Sequence, residues 1–300
     1  MLERLAGNDA LKAELGTALR GGRLPHAVLL VGEPGCGAGF AARCLAADYL
    51  YPAGGPHAEA VLKKEDTECL VLQGEGASGQ IPVKKVREAR EAIQRSALST
   101  DAAGRVLFIY GAQNLNGSSA NAMLKIIEEP PEGVLFLLTA DSLASVLPTI
   151  RSRCVSFAVA PVSPEQCARY CVAQGVDKKT AALYSELFDG HIGTVLAAAR
   201  DEARTAQVEK ALQLAKAAAA HDSYAAAVLL AAFEKDKAGA AALLADFRAV
   251  AAAGLRGSPH APVQGADAQR ALRLAEAAIQ RLGAQVNPKI VLSVFAAKLA

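Results

Sequence analysis

The sequence predicts an α/β domain built on a parallel sheet with helices on both faces, followed by two all-helical domains. Three observations carry this. Short apolar runs alternate with helical periodicities over the first half of the chain. A glycine-rich loop stands between the first of those runs and the helix after it. Beyond residues 155–159 no convincing strand follows, and the last third is rich in Ala and Leu, which favour helix. The expected domains are residues 1–159, 160–203 and 204–300.

Each element has its own reason. Val28-Leu29-Leu30-Val31 is continuously apolar between Pro25 and Gly32, the pattern of a strand buried on both faces. Residues 32–39 form the glycine-rich loop, and 40–50 the helix it leads into. Residues 51–80 lack periodicity and carry Gly54, Gly55, Gly74, Gly76 and Gly79, so most of them are expected as a loop or insertion, with 69–72 a possible strand. Apolar residues at 83, 86, 89, 93 and 97 predict a helix over 83–98. Val106–Tyr110 and Val134–Leu138 are two more buried strands. Between them a helix over 119–129 stops at Pro130-Pro131, whose rings cannot continue its hydrogen-bond ladder. Residues 155–159 alternate with period two. Ser163-Pro164-Glu165 then opens a helix, with Ser as N-cap and Pro at the first helical position. The helices of 204–300 are expected to break near Asp222, at 254–259 and at 283–288.

Composition narrows the function. The 300 residues are 52% hydrophobic and 21% charged, with a net charge of +2, which excludes a disordered chain and a global field for nucleic acid or membrane. Aromatics are 5% and Trp is absent, so no platform for stacking single-stranded bases is evident. The six cysteines (36, 44, 69, 154, 167 and 171) form no C-x-x-C pair, and neither a zinc ribbon nor a disulfide framework is expected. No signal-peptide core and no bilayer-spanning run is read, so a soluble cytoplasmic protein is the expectation.

The loop Gly32-Glu33-Pro34-Gly35-Cys36-Gly37-Ala38-Gly39 has the frame of a phosphate-binding P-loop. A working loop continues with Lys, which charges the β- and γ-phosphate site, and with Ser or Thr, which ligates Mg²⁺. Here those positions are Ala38 and Gly39. A Walker B strand should end in an acidic residue. The candidate strand ends in Tyr110-Gly111, and no carboxylate lies between Arg105 and Lys125. Gly32, Gly35, Gly37, Ala38 and Gly39 are thus read as a relic loop, and Tyr110 and Gly111 as a relic Walker B.

One motif is intact. Asn121-Ala122-Met123-Leu124-Lys125-Ile126-Ile127-Glu128-Glu129-Pro130-Pro131 precedes the third strand, and Arg151-Ser152-Arg153-Cys154 follows it. In these blocks and their spacing the sequence resembles the clamp-loader branch of the AAA+ ATPases over roughly residues 1–200. Beyond, it is similar to the family's collar ending at Gln285-Val286-Asn287-Pro288-Lys289-Ile290. The resemblance implies a RecA-like AAA+ domain, a helical lid and an all-α collar. It aligns the family's acidic pair with Tyr110 and Gly111, and its lid arginine (sensor 2) with Gly193 in Gly190-His191-Ile192-Gly193. It makes Arg153, with Ser152 and Cys154, an arginine finger offered in trans to a neighbouring gamma/tau ATP site; Arg151 is the second candidate. Thr139 falls at a γ-phosphate sensor position, though a plain strand-end Thr is the reading here. The four-cysteine zinc module of many relatives is lost or replaced here, and Cys44, His57 and Cys69 give only a weak signal for a three-ligand site. The implied function is a non-catalytic member of a heteropentameric DNA polymerase III clamp loader. Its partners are the gamma/tau and delta subunits, and indirectly the β sliding clamp and primed DNA. No cofactor of its own is expected.

The same residues leave other readings open. The chain could be an ATPase with an unconventional loop, or a paralogue that assembles without giving a finger. His26 is taken as structural. Glu128 and Glu129 close a helix at the end its dipole disfavours, and read as a solvated end or an outside contact. Lys63-Lys64, Lys84-Lys85-Arg87 and Lys178-Lys179 are short basic clusters, solvated by default and plausible as minor DNA contacts.

Overall fold

A computed structural model describes residues 1–76, 79–94, 101–284 and 286–299. The chain divides into two compact units, Met1–Val162 and Ser163–Ala300. The first contains α1 (Asp9–Arg20), β1 (Ala27–Val31), α2 (Ala38–Leu50), α3 (Pro56–Lys63), β2 (Cys69–Gln73), α4 (Val83–Ile93), β3 (Arg105–Tyr110), α5 (Gly117–Glu128), β4 (Val134–Ala140), α6 (Pro148–Arg151) and β5 (Val155–Ala158).

Among the described residues the five strands make one sheet in the order β2-β3-β4-β1-β5, every pairing parallel. The period of two sorts their side chains between two cores. Val28, Leu30, Val106, Phe108, Leu135 and Leu137 pack with the apolar residues of α1, α2 and α3. Leu29, Leu107, Ile109, Phe136 and Leu138 face the other way, against α4 and α5. This three-layer arrangement is why β1, β3 and β4 read as unbroken apolar runs. The edge strands read differently because they are covered less: only Phe157 is buried in β5, and only Leu72 in β2.

Part of 51–80 departs from the expected loop. Gly55, at φ +97, turns the chain into Pro56, which starts α3, and Ala58 and Val61 seal that helix onto the core. An eight-residue helix leaves too few turns for a visible period. The helix expected over 83–98 is α4, which ends at Ile93; residues 95–98 lie outside the described residues. Helix α5 starts at Gly117, two residues before expectation, because Asn116 and Ser119 form a capping box there.

The second unit is helical: α7 (Pro164–Ala173), α8 (Lys178–Leu187), α9 (Ile192–Arg200), α10 (Glu202–Ala219), α11 (Ser223–Ala231), α12 (Lys237–Leu255), α13 (Gly265–Gly283) and α14 (Pro288–Leu299). The cap of α7 is the expected one, with Gln166 completing a box with Ser163. A break before α12 was not expected; Asp236 makes it by accepting the Gly239 N–H as N-cap. Contrary to the sequence reading, α12 is long and apolar enough by composition to cross a membrane. It nevertheless buries Leu243, Leu244, Phe247 and Val250 among its neighbours, and its buried Asp246 pairs with Arg204 and accepts from Gln207 at 2.8 Å.

Candidate functional site: a glycine-rich loop and an exposed arginine

The parallel sheet brings the ends of β1, β3 and β4 to one edge, where α/β folds bind ligands. The loop after β1 carries the glycine-rich frame, and its glycines are held by close backbone contacts. Gly32 donates its N–H to Ala140 at 3.0 Å, and a Cβ there would lie 2.3 Å from the Val159 carbonyl oxygen and 2.4 Å from Cys36 Sγ. Gly37, at φ +106, turns the chain into α2 as its N-cap. Gly35 also has positive φ. Ala38 and Gly39 are the first two residues of α2.

The side chains around the loop do not fit a magnesium-bound triphosphate. Ala38 brings no cation and Gly39 no hydroxyl. Tyr110 closes the space. Its ring stacks on Phe108 with centroids 5.5 Å apart, and a Cβ on Gly39 would sit 3.4 Å from its edge. Lys64 Nζ lies 5.9 Å from the ring centroid. Burial pushes the Tyr110 hydroxyl above its ordinary pKa, against the opposing pull of Arg43, so the strand ends in no anion. Gly111 donates its N–H to Thr139 Oγ1 at 3.1 Å. Thr139 thus ties one strand end to the next.

Arg153 stands just beyond α6, with 37% of its side chain exposed. Its guanidinium is held on two sides. Nε donates to Glu128 Oε1 at 2.6 Å, and Nη2 pairs with the same oxygen. Nη1 donates to the Thr149 carbonyl at 3.2 Å and to Ser152 Oγ at 3.3 Å. Glu128 is therefore more than a bare solvated end: within the chain it holds Arg153. Cys154 anchors the segment against the α4–α5 side of the sheet, and burial lifts its thiol to about 12. Arg151 is exposed on the last turn of α6.

The remaining candidates take modest places. His26 Nε2 lies 3.0 Å from the Ile127 carbonyl oxygen, so the Nε2–H tautomer caps an otherwise orphaned acceptor at the end of α5. Cys44 lies inside α2, His57 stacks on Tyr51, and Cys69 sits beside Asp66. Among the described residues no group of three or more His, Cys, Asp or Glu is arranged to hold a metal ion. Gly193 lies exposed in the first turn of α9, after Gly190 at φ +72. Lys84 and Lys85 are drawn to Glu88 and Glu75. Arg87 instead joins Arg90 and Lys125 along a groove of about 310 Å³ between α4 and α5. Sequence reasoning missed this set because its members come from two helices. Their spacing on the helical faces was the only available signal.

A family model described as "DNA polymerase III, delta subunit" matches residues 7–163. The gamma/tau subunit of DNA polymerase III from Mycobacterium tuberculosis is 32% identical over 182 residues, which is 57% of this chain and 31% of that protein. The delta′ subunit from Haemophilus influenzae is 43% identical over 74 residues, 25% of this chain and 22% of that protein. The chain thus spans a third or less of the length of these relatives. A gamma-subunit-related protein from Thermotoga maritima shares the fold with a TM-score of 0.56 at 16% identity, covering 95% of this chain and 99% of that one. With a RecA-like parallel sheet and a large helical C-terminal region besides, the chain belongs to the DNA polymerase III delta′ (delta prime) family, in the clamp-loader branch of the AAA+ proteins.

Proposed function

We propose that this chain is a subunit of a cytoplasmic DNA polymerase III clamp loader that hydrolyses no ATP itself and lends Arg153 to the ATP site of a neighbouring gamma/tau subunit. The carrying observation is a contrast within one domain. Ala38, Gly39 and Tyr110 stand where hydrolysis needs charge, while Arg153 remains exposed in Ser152-Arg153-Cys154. ATP hydrolysis spreads negative charge over the γ-phosphoryl oxygens. A guanidinium, always protonated and rigidly forked, suits that charge better than an ammonium. Fingers supplied in trans are worth about 10³–10⁵ in rate.

The helical unit supports a role in assembly with gamma/tau and delta subunits. Tyr224 and Val228 on α11, and Ile290 and Val294 on α14, are exposed at four-residue spacing. The Arg87, Arg90 and Lys125 groove suits the phosphates of primed DNA, a contact that positions without reading sequence. The β clamp is reached through the assembled loader.

The test is reconstitution with gamma/tau, delta, clamp and primed DNA. Arg153→Ala is expected to assemble normally and to depress the ATPase rate of the complex by an order of magnitude or more. An unchanged rate overturns the finger. The isolated chain is expected to turn over no ATP; turnover abolished by mutating the 32–39 loop overturns the silent-subunit reading.

A further inference from the structure

We propose that Glu128 is a positioning residue for Arg153, holding one edge of the guanidinium so that its last free N–H is presented outward. This rests on the reading of Arg153 as a trans-acting finger.

The argument begins with where Glu128 sits. It is the last residue of α5, where a carboxylate faces the negative end of the helix dipole and calls for a counter-charge. The helix that carries it is fixed at both ends. Asn116 and Ser119 cap its start, and His26 engages the Ile127 carbonyl one residue before Glu128. Arg153 supplies the counter-charge from a separate segment, 25 residues further along the chain.

A count of donors gives the geometry its meaning. A guanidinium has five N–H groups. Nη1 is directed at Thr149 and Ser152, Nε at Glu128, and Nη2 also at Glu128. Among the described residues four donors are thereby engaged, and one on Nη2 is left for an incoming oxygen. The plane of the fork is set by contacts on both edges, so a phosphate meets an ordered donor rather than a long swinging side chain. The grip is also releasable. Arg153 and Glu128 are 37% and 46% exposed, and pairs this open to water are weak. Glu128 therefore orders the arginine without competing strongly with a multiply charged phosphate. Glu129, the next residue, has no hydrogen bond or ion pair among the described residues and serves as the control.

The experiment uses the reconstituted loader with gamma/tau, delta, clamp and primed DNA, and reads kcat and KM for ATP separately. Glu128→Ala is expected to lower kcat by about 10- to 100-fold, the scale of a small misplacement of a catalytic group. KM for ATP and assembly by size exclusion stay unchanged. Glu128→Gln keeps an acceptor oxygen for Nε and is expected to recover most of the rate, and Glu129→Ala all of it. The double variant with Arg153→Ala is expected to be no slower than Arg153→Ala alone. Should Glu128→Ala fail to assemble, Glu128→Asp, which draws the same charge back by one methylene, is expected to give a partial loss of kcat.

A slow Arg153→Ala beside a Glu128→Ala at full rate would overturn the positioning role alone. A Glu128→Ala faster than the parent would mean that Glu128 restrains the arginine, and overturns it too. An additive loss in the double variant would place Glu128 outside the arginine's action. Arg153→Ala at full rate would defeat the finger reading first, and the Glu128 role with it.

Discussion

Glu68 has no exposed surface and Arg105 very little, and they meet Oε2 to Nε at 2.9 Å. Arg105 also donates to the Ala92 carbonyl at 2.6 Å, while neighbouring Asp66 accepts from the Tyr51 hydroxyl at 2.9 Å and the Glu68 N–H at 2.9 Å. Removing one member of such a pair strands a charge away from water, which costs more than the pair itself contributes. Glu68→Ala is therefore expected to destabilise the first unit by about 3–5 kcal/mol. Replacing both residues together by apolar ones of similar volume should cost far less. Urea unfolding of the two variants checks this, and equal losses would deny the burial argument. None of it was legible in the sequence, where residues 65–68 fall in a stretch expected mostly as loop or insertion. Only the placement of β3 against β2 turns Glu68 inward toward Arg105.

Helix ends show what sequence does carry. Ser163 and Pro164 are local signals, and the helix begins where they say. Asp236 is an equally local cap, but it follows a run with no Gly or Pro to mark an ending, so the break before α12 was hidden. The glycine-rich loop and the end of β3 were legible for the same local reason. Both are short stretches, and Gly39 beyond the loop lies beside Tyr110. Arg153's tie to Glu128 was not legible, because 25 residues separate them. Two outcomes belong at this scale. Asn116→Ala removes the cap of α5 and is expected to cost about 1 kcal/mol by thermal or urea unfolding. Asp177 caps α8 by accepting from the Lys179 and Thr180 N–H groups, and the Thr180 bond foremost holds its carboxyl below the ordinary range. A carboxyl lowered on folding gives its stabilisation in full above its unfolded pKa, near 4, and loses it as pH falls through the folded value. The stability of Asp177→Asn should therefore fall less steeply below pH 4 than that of the parent.

At the scale of the whole molecule the two units divide the proposed work, and they can be tested apart. The first unit holds Arg153, and the second holds the exposed apolar pairs of α11 and α14. Tyr224 is 79% exposed, Val228 56% and Ile290 59%, while the residues of α11 and α14 that hold the unit together, Ala226, Leu230, Leu292 and Phe295 among them, are buried. Substitution at the exposed positions thus leaves the fold its own core. In a loader, those side chains would lie in contact with a gamma/tau or delta neighbour, where a large aromatic is a frequent anchor and an unpaired charge is costly. Tyr224→Glu combined with Val228→Glu is expected to keep the circular dichroism and melting temperature of the isolated chain. The same variant should fail to co-elute with the other loader subunits at concentrations where the parent does, since a loss of about 2 kcal/mol or more at an anchor weakens association roughly 30-fold. Arg153→Ala should show the reverse: full co-elution with a slow ATPase. Co-elution of the doubly acidic variant at parental strength would remove α11 from the assembly surface and leave α14, tested through Ile290→Glu, as the face that remains.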